Sequence, residues 1–445
     1  MPLSHNLFLI TISFVHALRT SGDGSGALQP SEAETLFSIM DSVSSDQNWR
    51  AAYPSPCAAG QTWQGIECKM GNDNHLHVSR LNLGAFPNPS CQKTASFPSQ
   101  IFLLPHLESV FFLGCFVHTR TSFSIPQGNL SNSLRQVSII SNPNLAGEIP
   151  PRISLLRELK TLSLSQNQIT GSIPAEIFTL GSLINLDLSY NFLNGKLSPN
   201  LGSMKNLVVL DLSYNTLTGT IPVSIGDLTM LQKLDLSSNF LTGEIPDTVG
   251  KLSSLSFLAL NNNRLRGRLP AGLFTLPNLQ YFIMDDNPVY VMLPAEFGNL
   301  GKLQELRLAN SGYFGEIPAG YSRLVNLTTL ALQNNNLSGG IPAAIGEMKH
   351  LYHMNLSGNL LEGIVPFDDS FFKRLGRNLD LRENPGLCLG TPAAQHAEVR
   401  VCRRGDGSDT GARRKSSAPA SDSAWKDGRV VRLCLYALLL LSLAN

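Results

Sequence analysis

From Leu164 to Leu356 the apolar positions of the chain recur every 24 residues without a slip. One column reads Leu164, Leu188, Leu212, Leu236, Leu260, Met284, Leu308, Leu332 and Leu356. Three residues after each anchor stands Asn167, Asn191, Asn215, Asn239, Asn263, Asn287, Ser311, Asn335 or Asn359. In a unit such as LQKLDLSSNFLTGEIPDTVGKLSS (231–254), the LxL run has the two-residue period of a strand. Its leucines point inward and the residue between them points outward. The pattern predicts one short strand per repeat, stacked side by side in a parallel sheet. About thirteen rungs at about 4.8 Å each give a sheet roughly 60 Å long.

The other repeat positions have physical roles too. An inward Asn at the end of each strand can donate and accept, pairing backbone groups of neighbouring turns that burial would leave unsatisfied. The following Gly allows a sharp bend, and Ile-Pro sets an extended segment on the back of the coil. Less regular rungs are anchored at Leu83, Phe112 and Ile139, and a last one at Leu381. Three positions break the pattern: Cys115 and Ser311 occupy Asn positions, and Val291 in NPVYVMLP (287–294) replaces the usual Gly. A local distortion is expected around residues 287–315.

The period and the LxxLxLxxNxLxG core identify a leucine-rich repeat, an α/β repeat solenoid. LxGxIP resembles the plant-type extracellular class. NWR…CAAGQTWQGIEC (48–68) resembles the N-terminal cap of that class, and NPGLC (384–388) with Cys402 resembles its C-terminal cap. LESVFFLGCF (107–116) followed by SNPNLAGEIP (141–150) is similar to the receptor-like proteins grouped with Too Many Mouths and the Piriformospora indica-insensitive proteins. The resemblance covers residues 31–402. It implies a right-handed superhelix with short parallel β-strands on the concave face, 3-10 or extended segments on the convex face, and disulfide-capped ends. It further implies a cell-surface receptor-like protein or co-receptor without a kinase, binding proteins, peptides or receptor-kinase ectodomains in defence, symbiosis or development. A soluble apoplastic inhibitor of a microbial wall-degrading enzyme, similar to the polygalacturonase inhibitors, is the alternative.

Cysteine usage sharpens the ends. Cys57, Cys68, Cys91 and Cys115 lie near the N-terminus and Cys388 and Cys402 beyond the last repeat, with none between 115 and 388. In an oxidising compartment these read as staples; nearest-neighbour order suggests 57–68, 91–115 and 388–402, with other pairings open. Residues 1–17 read as a secretory signal. The expected order is then an N-terminal cap (31–80), a solenoid (81–383), a C-terminal cap (384–402) and a flexible stalk (403–421). Residues 422–445 fit a cleaved glycosylphosphatidylinositol-attachment signal: Ser421, Asp422 and Ser423 are small, a nine-residue spacer follows (Ala424–Arg432), and the tail Leu433–Asn445 is apolar apart from Ser442 and the terminal Asn445. Ser421 is the candidate lipid attachment residue. As a helix that tail spans about 20 Å against roughly 30 Å of hydrocarbon, so a membrane span is the weaker reading. The expected location is the outer face of the plasma membrane, with the apoplast or cell wall as the alternative.

Net charge is +1 and charged residues make up 15% of the chain, so no long-range field recruits nucleic acid. GxSxG, HExxH and phosphate-loop motifs are missing, and the acidic outward column lacks the asymmetry of an acid/base pair. No enzyme activity, metal or cofactor is expected. Recognition is expected on the outward strand positions. The early rungs present Asp187, Asp211 and Asp235 there; later ones present Phe257, Tyr281 and Ile283 beside Asp285, Glu305 and Arg307. Exposed aromatics next to charges mark the candidate ligand surface, with Asp285 expected on the strand of Tyr281 and Ile283. Four sequons, at Asn129, Asn326, Asn336 and Asn355, are candidate glycosylation sites; Asn355 is expected on the concave face, where a glycan would bias contact towards the middle rungs.

Overall fold

The computed structural model describes residues 27–403, apart from 45–47, 59–61, 85–87 and 391–398. The signal sequence expected at 1–17, the lipid-attachment segment with Ser421, and all of the stalk beyond residue 403 lie outside the described residues.

Fourteen strands form one continuous sheet, from Ile66–Met70 to Leu379–Asp380. The first pair, Ile66–Met70 with Leu76–Leu83, is antiparallel. From Leu76–Leu83 onward every neighbouring pair is parallel and in register, as in Val209↔Lys233 and Asp211↔Asp235. The leucines on either side of each outward residue are fully buried, among them Leu186, Leu210 and Leu258. Behind the sheet each rung returns through a 3-10 turn such as Val223–Asp227, entered from Pro222 in extended geometry. Proline suits that entry because its φ is fixed and no amide is lost from the turn.

The Asn ladder ties the rungs together. Asn215 Nδ2 donates to Leu188 O of the preceding rung and to Leu212 O and Ser213 O of its own, at 3.0 to 3.2 Å. Its Oδ1 accepts from Leu193 N at 3.0 Å. One side chain thus pairs buried backbone groups of two turns, and the arrangement repeats at Asn191, Asn239 and Asn263.

A feature absent from the expectation is a second line of short strands just after the ladder. Thr121–Ser122, Leu145–Glu148, Gln168–Ser172 and Phe192–Asn194 form one flank sheet; Thr218–Gly219, Phe240–Gly243 and Arg264–Leu265 form another. After Arg264–Leu265 the line breaks, and it resumes where Met292 bridges to the strand Phe314–Glu316. The distortion expected at 287–315 therefore falls on the flank, while the concave strands 257–259, 281–283 and 305–307 pair without interruption.

Its cause is Ser311. In regular rungs the amide two residues after the ladder Asn reaches the next rung's Asn Oδ1, as Leu265 N reaches Asn287 Oδ1 at 3.0 Å. The shorter Ser311 hydroxyl turns instead to Ala309 O at 2.8 Å. Val289 N then bonds Asn287 O and Ser311 O, Tyr290 N bonds Ser311 O, and Pro288 has no amide hydrogen to offer. Tyr290 is left with φ of 52°, a left-handed conformation unusual for a side chain of its size.

Both ends are covered, as a solenoid requires. The helix Pro30–Val43 buries Leu36, Phe37, Ile39, Met40 and Val43 along one face. Trp49 packs edge-on against Trp63, and Cys57 is bonded to Cys68. Cys91–Cys115 and Cys388–Cys402 are the other disulfides. At the far end the helix Asp369–Leu375 is capped by Asp368, whose carboxylate accepts from Phe371 N at 2.9 Å. Among the described residues no helix is long and apolar enough to cross a membrane.

Candidate functional site

Strand register brings the expected surface residues together. Tyr281 lies between Phe257 and Glu305, and Ile283 between Ala259 and Arg307, on three adjacent strands. The rings of Phe257 and Tyr281 are 5.9 Å apart and tilted by 40°. Tyr281 Oη donates to Gln304 Oε1 at 3.1 Å, which fixes the ring against the following rung.

Asp285 departs from the expectation. The strand ends at Ile283, and Asp285 is buried, 6% exposed, where regular rungs carry Ser. Its Oδ1 accepts from Ala309 N at 2.6 Å and its Oδ2 from Arg307 Nε at 2.9 Å. Burial raises its carboxyl above the ordinary value, opposed by Arg307. Arg307 also approaches Glu305 at 3.5 Å. Asp285 therefore positions Arg307 and is not itself open to a ligand.

Towards the N-terminal side, Asp187, Asp211 and Asp235 lie in register on consecutive strands. Lys233 Nζ bonds Asp211 Oδ2 at 2.7 Å and sits 5.5 Å above the Phe257 ring. Burial and the neighbouring Asp211 push the Asp235 carboxyl up to about 6. Lys233 escaped the sequence reading, although one period from it lies Phe257; the pairing of columns a repeat apart was the signal. Also missed were the flank aromatics: Tyr190 and Tyr214, one repeat apart, stack at 4.2 Å, and Phe192 and Phe240 are exposed nearby in the repeat.

The sequons fall on different faces. Asn129, Asn326 and Asn336 are exposed. Asn326 Nδ2, the atom that would carry a glycan, donates to Gly301 O at 2.7 Å. Asn355 lies on a concave strand opposite Ala331 and Asp380, and its Oδ1 accepts from Ser357. Among the described residues no cluster of His, Cys, Asp and Glu could hold a metal ion.

A leucine-rich repeat family profile matches residues 196–241, and a second matches 158–180, 182–204 and 326–348. The chain is 57% identical over 145 residues to Receptor like protein 29 of Arabidopsis thaliana, covering 32% of this chain and 31% of that protein. It is 36% identical over 137 residues to the Arabidopsis thaliana protein TOO MANY MOUTHS, covering 30% and 27%. The matches thus span about a third or less of these relatives. Among solved structures, the plant peptide hormone receptor RGFR1 in complex with RGF2 superposes with a TM-score of 0.59 at 32% identity, covering 73% of this chain and 50% of that one. The Arabidopsis receptor kinase HAESA ectodomain in complex with an IDA peptide hormone gives 0.58 at 31%, covering 66% and 48%. With the sheet, the Asn ladder and the capped ends, these likenesses show a chain built of leucine-rich repeats and similar, over about a third of its length, to plant extracellular receptor-like proteins.

Proposed function

We propose that this protein is a receptor-like protein or co-receptor that recognises a peptide or another ectodomain on the concave strip from Asp187 to Arg307. The observation that carries the reading is the change of character along that strip. Phe257, Tyr281 and Ile283 form an apolar centre on an otherwise polar face, with Lys233 and the Asp column on one side and Arg307 on the other. A desolvated aromatic flanked by charges supplies both affinity and orientation. Both solved neighbours described above hold peptides, which fits a peptide ligand here. We read the protein as a binder rather than an enzyme. Its site of action is the outer cell surface, held there by a lipid on Ser421.

The test is capture of a cognate peptide or ectodomain by purified residues 27–403, before and after Phe257→Ala with Tyr281→Ala. These changes leave the Asp285–Arg307 pair intact. Binding should fall at least tenfold, the usual range for a hot-spot aromatic being about 2 kcal/mol or more. Undiminished binding would move the ligand off this strip.

A further inference from the structure

The break in the flank line leaves a surface that the concave reading does not use. Arg264 stands on the last flank strand before the break, Arg264–Leu265, and Arg266 and Arg268 follow it on either side of the bend at Gly267; all three are exposed. Among the described residues none of them joins an ion pair; Arg264 only covers the Phe240 ring, 4.7 Å from its centroid.

The reason Arg268 is unpaired lies in the neighbouring rung. Elsewhere the side chain at its repeat position lies over the bare Cα of the next rung's Gly. A Cβ at Gly219 would fall 2.9 Å from Lys196 Cγ, one at Gly243 would fall 2.9 Å from Thr220 Cγ2, and one at Gly339 would fall 2.9 Å from Glu316 Cγ. In the rung after Arg268 that Gly is Val291, so the seat is filled. Beyond it stand Tyr290 (68% exposed), Met292 (65%) and Phe314 (43%). Tyr290 lies over Gly312 and Met292 over Gly315, which makes the apolar group continuous with the next flank strand.

The Glu244 carboxylate lies over Gly267, between Arg266 and Arg268, without joining an ion pair with any of the three arginines. One carboxylate among three arginines beside an exposed apolar group leaves a net positive surface short of its complement. We infer that this flank, from Arg264 to Phe314, is a second docking surface, for a partner protein's acidic segment carrying carboxylates beside a large apolar side chain. Carboxylates pair with the guanidinium forks, which suit them in shape as well as charge. The apolar side chain covers Tyr290 and Met292. A purely anionic polysaccharide would use the arginines and leave that group bare. The flank strands belong to a sheet other than the concave one, so the two surfaces share no residue.

The probe is a fluorescein-labelled peptide alternating glutamate with leucine and phenylalanine, titrated against purified protein by anisotropy. Its lysine counterpart and polygalacturonate are run in parallel. The glutamate peptide should bind and weaken with added salt. Binding should fall about tenfold in Arg264→Gln with Arg266→Gln and Arg268→Gln, the combined effect of three exposed pairs. It should also fall in Tyr290→Ala with Met292→Ala, and survive Phe257→Ala with Tyr281→Ala. Equal binding of the lysine peptide overturns the proposal, as does loss of binding in the concave variant alone. Polygalacturonate competing fully, with no effect of Tyr290→Ala and Met292→Ala, overturns it in favour of a polysaccharide site. Self-association of the unlabelled protein that the arginine variant abolishes would make the occupant a second copy, and overturn it too.

Discussion

Arg307 and Asp285 stand on neighbouring rungs and form an ion pair whose two halves see different surroundings. The Asp285 side chain is 8% exposed and that of Arg307 42%. Removing the arginine therefore leaves a buried carboxylate with only the Ala309 amide for company. A fully buried pair broken in this way loses about 3–5 kcal/mol, and the solvent around Arg307 reduces that here to about 1–3 kcal/mol. Arg307→Ala should lower stability by that amount in urea unfolding. Asp285→Asn with Arg307→Ala should lower it by less, because no charge is then stranded. Strict additivity of the two single changes would mean that the pair is not coupled.

Ser311 makes a second prediction. Its hydroxyl offers one hydrogen where the ladder Asn offers two, and it does not reach Val289 N. Ser311→Asn should restore the regular pattern and raise stability by about 0.5–1.5 kcal/mol, the net worth of one further buried hydrogen bond. Hydrogen exchange at the Val289 amide should slow. Ser311→Ala should go the other way, leaving Ala309 O without its hydroxyl donor. A lower melting temperature for the Asn variant would show that the break is fixed by Pro288 and Val291 instead.

Much of this was legible in the sequence because a repeat makes one reading count many times. Leucine alternation fixed which side chains are buried, and the 24-residue spacing made Tyr281 a neighbour of Phe257 and Glu305. Asp285 was misread because strand alternation was carried one step too far. The chain turns after Ile283, and a residue beyond that point answers to the turn's hydrogen bonds. The flank strands were invisible for a related reason. Their segments are two to five residues long and read as bends, since their pairing depends on the rung before and after. The flank break could be located from Ser311 and Val291, but not the side it would fall on.

Ser421 carries a third prediction, on anchoring. Small residues at 421–423, a spacer and an apolar tail satisfy a lipid-transfer signal, and about 20 Å of helix is short for a bilayer. Phosphatidylinositol-specific phospholipase C should release the protein from plant membranes, and mass spectrometry should find no peptide containing Cys434. Retention after treatment with Cys434 present would establish a span. A protein found free in the wall fluid without treatment would favour the inhibitor reading.

The last prediction concerns pH and the N-terminal cap. His77 is buried, with Nδ1 2.7 Å from Glu32 Oε2 and Nε2 3.0 Å from Asp73 Oδ1. The His106 ring lies against it, centroids 3.8 Å apart and tilted by 43°, and Glu32 also accepts from Val78 N at 2.8 Å. Ionised carboxylates only accept, so a doubly protonated imidazole is the form that satisfies both partners. Burial lowers the His77 pKa, but Asp73 and Glu32 outweigh it and the net shift is upward. A histidine raised on folding contributes stability that is complete below about pH 6.5 and fades as pH rises through the folded value. Asp235, pushed up to about 6, has the same sign: the folded state binds the proton more tightly, so stability falls as pH rises from about 4 to 6. Asp73, held down to about 2 chiefly by His77, acts oppositely, but only as pH falls below about 4. His353, lowered chiefly by burial and then by Arg307, acts oppositely, costing stability as pH falls below about 6.5. The test is therefore made in a His353→Gln background, where the protein should melt higher at pH 5 than at pH 8. His77→Gln should flatten the profile between about pH 6 and 8, and Asp235→Asn between about pH 4 and 6, each leaving the other limb in place. In the His353→Gln background, a melting temperature that climbs steadily towards pH 8 would mean that His77 is held neutral, with one of the two carboxylates protonated in its stead.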